Sequence, residues 1–156
     1  MSTDRKIGVL LWSIALPGFG QLRNGKYVKG IVFIILEFII NWKANLNQII
    51  LESFHGEIES AIALADYQWL LFYPCVYMFA IWDAYSDAGP PHSPFSYLPF
   101  VLAAYIGTLG VIYAPTLKIL GVLWGPVWLP LFFLFVGVVI GLVFRKLLLK
   151  RQMSHL

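Results

Sequence analysis

An all-α, polytopic membrane helix bundle is the fold class that this sequence predicts. It comprises four full spans, a short N-terminal hydrophobic segment that either re-enters or spans, and an amphipathic extracytoplasmic helix. Three observations predict it. The 156 residues are 60% hydrophobic and 12% charged, with mean hydropathy +0.77, whereas soluble domains carry about a quarter charged residues. Long apolar stretches alternate with breaks bearing glycine, proline or charge. Lysines and arginines sit beside those stretches, as they do when cations orient segments on the cytoplasmic side. Net charge of +3 and a pI near 9.0 therefore point to a membrane surface and exclude nucleic acid as the expected partner. Residues 1–156 read as one integral membrane domain. Cys75 has no second cysteine to pair with in the chain.

Taken in order, residues 7–16 are apolar but short of the ~20 residues that a full span needs. Residues 16–31, LPGFGQLRNGKYVKGI, form a reversal with turn glycines Gly18, Gly20 and Gly25 and the cations Arg23, Lys26 and Lys29. Residues 28–42 are the first clear membrane helix. In the polar stretch 43–66, Leu46, Ile49, Ile50, Phe54, Ile58, Ile62 and Ala65 recur at helical steps, which fits an amphipathic helix. Gly56 argues against one straight rod.

Residues 67–85 form the second span, with Tyr67 and Trp69 at one end and Trp82 and Tyr85 at the other as interfacial anchors. Pro74 is expected to kink it and release the Leu70 carbonyl. The turn-rich stretch 86–95, with Pro90, Pro91 and a solvated His92, separates a half covering 1–88 from a helical hairpin covering 96–147. The third span is 96–113, closed by Pro115. Residues 116–125 are a short connection and a candidate for re-entry, and 126–144 are the fourth span. Arg145, Lys146, Lys150 and Arg151 make a basic tail, with His155 solvated beyond it.

If the tail is cytoplasmic and the first segment returns to the side it left, nine of the eleven cations lie inside. Five full crossings would leave seven inside. The positive-inside rule favours the first arrangement, which makes the C-terminus cytoplasmic.

Glu37 falls about nine residues into the first strong span, ~13 Å along the helix. An ionised carboxylate at that depth costs ~2.5 kcal/mol or more. It is either a proton- or cation-responsive group, or a neutral one bonded to a tyrosine such as Tyr73 or Tyr77. Asp83 and Asp87 are level with the loop cations Arg23, Lys26 and Lys29, which suits charge-assisted pairing. The same cations suit binding of anionic lipid phosphates.

Gly121 with Gly125, and Gly137 with Gly141, have the four-residue spacing that lets helices approach closely, and Ala103 with Gly107 continues it. Packing inside the chain and packing between subunits both use such faces. Glu52, His55 and Glu59 share a helical face but match no metal motif, so no metal is expected. Cofactors are not expected either. HExxH, GxSxG, a phosphate loop and clustered Cys/His are all missing.

The run PGFGQLRNGKYVKGI, preceded by a short hydrophobic segment and followed by a span and then by Trp82-Asp83, resembles the TM-two domain family. It is also similar to small uncharacterised membrane proteins of Gram-positive spore-formers. The resemblance covers roughly residues 6–88. It implies a glycine-bearing turn at Gly18, Gly20 and Gly25 with Tyr27, and an acidic residue at Asp83. Departures are the long insert after Trp42, Arg23-Asn24 where the family has a Phe-Tyr pair, and the extra spans after Ala88. The resemblance implies location in the bacterial cytoplasmic membrane and little chemistry.

Two functional expectations follow. One is a non-enzymatic accessory or interaction subunit acting through helix packing or lipid contact, with a protein partner or a homo-oligomer. The other is a small oligomeric proton- or ion-coupled transporter using Glu37. An intramembrane enzyme ranks behind both, because the nucleophile and base it would need are not evident.

Overall fold

The computed structural model of the chain describes residues 2–89 and 94–153; Pro90, Pro91, His92 and His155 lie outside them. The described residues are mostly α-helical. In chain order the helices are α1 (Ser2–Ala15), α2 (Phe19–Arg23), α3 (Tyr27–Ala44), α4 (Leu46–His55), α5 (Ile58–Leu64), α6 (Tyr67–Leu70), α7 (Tyr73–Asp87), α8 (Leu98–Tyr113) and α9 (Gly125–Met153). A small antiparallel hairpin, β1 (Lys118–Ile119) and β2 (Val122–Leu123), links α8 to α9.

The first segment runs beside α7 and then turns back along it. Val9 packs on Ala84 and Ala88 near the C-terminal end of α7. Further along α1, the Ile14 carbonyl accepts a 2.6 Å bond from the hydroxyl of Tyr77, in the N-terminal third of α7. The chain then turns at Gly18, whose φ of 103° suits glycine, and α2 returns. Gln21 and Asn24 come back to the Ala80 and Ala84 carbonyls. At the end of α2, Gly25 is left-handed (φ 75°), Gly25 N–H bonds the Leu22 carbonyl and Lys26 N–H bonds the Gln21 carbonyl. That pair of bonds closes the helix and aims α3 back along the bundle.

Buried residues of α3 recur as Gly30, Phe33, Glu37, Ile40 and Ala44, one inward stripe at helical spacing. The predicted single amphipathic helix is instead two helices. Gly56 adopts φ 86° and Glu57 N–H bonds back to the Glu52 carbonyl, so α4 ends there and α5 starts afresh. Ala44, Leu46, Ile49, Ala61 and Leu70 join Val111 and Val127 in the largest core cluster.

Proline placement corrects a further expectation. Pro74 lies in the first turn of α7, where its missing N–H has no helical partner to lose, so it starts a helix instead of kinking one. Pro99 does the same for α8. Both helices are consequently short, 15 and 16 residues, or roughly 22–24 Å. α3 has 18 residues and carries Lys29, Glu37 and Lys43. Among the described residues, one helix, α9, is long and apolar enough to cross a membrane by length and composition. The four predicted full spans reduce to that one on this measure.

The stretch 116–125 forms the β-hairpin, with Leu120 and Gly121 both at positive φ (52° and 81°) at its tip. This also corrects the expected packing role of Gly121, whereas Gly125 at the start of α9 does pack closely, on α5. Nothing lies within 4 Å of where a Gly121 Cβ would stand, and Gly125 faces Ile58. Gly137 and Gly141 do lie at a helix contact, against the backbone of Ala103 and Pro99 on α8. That contact is inside the chain.

Candidate functional site

Three features brought together at one end of α7 define the candidate site. Lys29 Nζ, from the first turns of α3, bonds Asp83 at 2.7 Å and Asp87 at 3.1 Å. Gln21, from α2, is completely buried and donates Nε2 to the Ala80 carbonyl at 2.8 Å and to Asp83 at 3.1 Å. Asn24 donates Nδ2 to the Ala84 carbonyl at 2.8 Å. Asn24, the residue that caps α2, follows Gln21 by three positions in helical conformation, so both side chains leave the same face.

The glycines of the turn allow this docking. Gly20 sits against Ser13 and Ala84, and Gly18 against Gly30 and Ile34, with no space for a side chain at either. Close backbone approach of α2 to both α7 and α3 is what places Gln21 within reach of Asp83.

Of the three loop cations, Lys29 makes the ion pairs that join the turn to α7 among the described residues. Arg23 lies along α1 beside Gly8. Lys26 stands exposed ahead of α3. Lys6 extends over the Tyr85 ring at 5.4 Å.

Glu37 is 7% exposed on the inward stripe of α3. The Tyr73 hydroxyl donates to its carboxylate. Tyr73 in turn stacks on Tyr77 (5.5 Å between ring centres, 22° between planes), and Tyr77 holds α1 through Ile14. Glu37, Tyr73, Tyr77 and Ile14 thus form a polar file across the middle of the bundle.

Away from this end, Asp66 caps α6 by accepting from Gln68 and Trp69 N–H. Trp128 Nε1 donates to the Ser53 carbonyl at 3.1 Å, and its ring packs 4.7 Å from Phe54. The sequence reading did not single out Gln21, Asn24 or Trp128. Gln21 and Asn24 carried a usable signal, two neutral amides at i and i+3 inside a glycine-rich turn. His55 and Glu59 fall on separate helices either side of Gly56.

Fold and site together define a class: an all-α bundle with an N-terminal helical hairpin fastened by amides and an ion pair to the end of a neighbouring helix. Comparison with protein-family models, curated proteins and solved structures finds no match for the chain.

Proposed function

We propose that the chain is a multi-pass, non-enzymatic protein of the bacterial cytoplasmic membrane, TM-two-like over residues 1–88, serving as an accessory or interaction subunit through helix and lipid contact. In this reading α3, the α6–α7 run, α8 and α9 cross the bilayer. The hairpin α1–α2 dips in from the cytoplasmic face and returns to it. The carboxyl end is cytoplasmic.

The observation that carries this reading is the sorting of charge along the bundle. Nine of the eleven cations (Arg5, Lys6, Arg23, Lys26, Lys29, Arg145, Lys146, Lys150, Arg151) belong to the Asp83–Asp87 end. Lys43, Lys118, Glu52, Glu57, Glu59 and Asp66 belong to the other. Between them the side surface is apolar: Ile31, Ile35, Phe38 and Trp42 on α3 and Phe135 on α9 are all exposed. In water such a surface would cost ~25 cal/mol per Å²; in lipid it costs nothing. Docking of the turn through Gly18, Gly20 and Asp83 supports the TM-two likeness.

Gly137 and Gly141 are used inside the chain, and among the exposed apolar faces the outward stripe of α3 is the one we assign to a partner. A photo-crosslinking side chain at Ile35 or Phe38, activated in native membranes, is expected to give a discrete protein adduct. Lipid adducts alone would overturn the interaction-subunit reading.

A second reading rests on the burial of Glu37 against Tyr73. In a proton-coupled transporter, Glu37→Gln would abolish pH-dependent flux in proteoliposomes. In the accessory reading the same variant leaves partner binding intact.

A further inference from the structure

A groove opens between α1, α7, α8 and α9, with a volume of about 500 Å³. Its walls come from Leu10 and Ile14 on α1, Met78 and Ile81 on α7, and Leu134 and Leu142 on α9. Tyr85, Ser96 and Arg145 stand at the end nearest the cation-rich face. Tyr77, Leu131 and Leu134 lie at its deep end, where they also border a second apolar cavity of about 170 Å³. Side chains in a close-packed interior leave few voids larger than a water molecule. This space is far larger and lined almost wholly by hydrocarbon, so water, which needs several polar partners, is a poor occupant.

We propose that the groove holds one acyl chain of an anionic phospholipid, with the phosphate at Arg145. The inference rests on the membrane reading above and assigns its lipid contact to a particular place. Dimensions fit first. Leu131 and Arg145 are separated by fourteen residues of continuous helix, ~21 Å along the axis. One leaflet's hydrocarbon is ~15 Å deep, so the acyl chain and the glycerol ester region both fit between those two residues.

Charge fits second. The mouth carries Arg145, with Lys146 next in sequence, and Lys6 poised over the Tyr85 ring at 5.4 Å. On the facing helix, Asp83 and Asp87 are both engaged by Lys29. A cationic mouth over an apolar channel is complementary to a phosphate-headed amphiphile, and inner-leaflet anionic lipids meet such basic clusters. The re-entrant hairpin fits third. α1 lines the groove from the Lys6–Tyr85 contact at the mouth to the Ile14–Tyr77 contact at the deep end, eight residues of helix or ~12 Å.

The test uses the full chain, purified in mild detergent after equilibration with vesicles of phosphatidylglycerol and phosphatidylcholine. Native mass spectrometry and a phosphate assay count and identify what stays bound. Wild type is expected to retain one phospholipid per chain, enriched in phosphatidylglycerol. Leu142→Trp and, separately, Leu10→Trp fill the groove and are expected to lose it, with circular dichroism showing unchanged helicity. Arg145→Gln is expected to keep a lipid but lose about fivefold in preference for phosphatidylglycerol, the effect of one basic residue beside anionic headgroups.

Retention indifferent to both tryptophan variants overturns the proposal, as does a wild type that keeps no lipid while resisting carbonate extraction from membranes. In that last case the membrane reading survives alone. A chain released by carbonate wash removes the membrane reading and the lipid site with it.

Discussion

Asp83 accepts from both Lys29 Nζ and Gln21 Nε2, and its side chain is only 13% exposed, against 26% for Asp87. Losing the more buried carboxylate therefore leaves more unsatisfied. Asp83→Ala is expected to cost about 1–2 kcal/mol, since bonds to charged groups are worth ~1.5–3 kcal/mol and the half-exposed Lys29 end must be discounted. Asp87→Ala is expected to cost less than ~0.5 kcal/mol, because Lys29 retains Asp83. Thermal unfolding in detergent checks both, and equal shifts would contradict the ranking. At Glu37, a carboxamide of nearly the same volume still accepts the Tyr73 hydroxyl. Glu37→Gln should hold its melting temperature close to wild type, while Glu37→Ala opens a cavity and strands that hydroxyl at a cost of ~2–3 kcal/mol. A large loss from Glu37→Gln would mean that charge, not shape, matters there.

Among the elements, glycines at identical spacing do different work. Gly137 and Gly141 let α9 lie against the α8 backbone at Ala103 and Pro99. Gly137→Leu should therefore destabilise the chain by ~3 kcal/mol or more, an overpacking cost at a rigid backbone. Gly121→Ala meets open space and bears only the strain of φ 81°, ~1 kcal/mol. Reversal of that order in unfolding measurements would rule out the packing described here. The contrast shows what was legible in the sequence. Helix content followed from composition. The loop cations as a group could be matched to Asp83 and Asp87 because both sets flank expected spans on one side. Which of Arg23, Lys26 and Lys29 makes the bonds could not be read from spacing. Spacing alone could not separate the two glycine pairs, because helix and hairpin accommodate the same four-residue interval. The hairpin was hidden for a related reason. Leucine at φ 52° in its turn departs from the Asn-Gly or Asp-Gly signal. Pro74 read as a kink because the apolar stretch ran through it, whereas helix ends are decided by which N–H groups find partners. Gln21 escaped notice because its role depends on contacts 59 and 62 residues away.

For the whole molecule, the placement of α1 and α2 decides how the cations sort, and here the sequence left two arrangements open. A fully crossing first segment would put Arg5 and Lys6 beside Lys118; the hairpin geometry returns them to the end that holds Lys29, since Lys6 reaches Tyr85 and Asn24 reaches Ala84. A topology experiment can weigh the consequence directly. In a Cys75→Ser background, single cysteines at Lys26 and Lys150 should react from the same face of sealed inverted vesicles. Cysteines at Gln48 and Leu120, the latter 98% exposed at the hairpin tip, should react from the opposite face. If Lys26 and Lys150 label from opposite faces, an odd number of crossings separates them, and the ion pair of Lys29 with Asp83 could not coexist with four crossings. If all four positions label from one face, α9 does not cross at all. The apolar stripe of α3 would then face water, an arrangement that the cost of exposing Ile31, Ile35, Phe38 and Trp42 together makes untenable for an isolated chain.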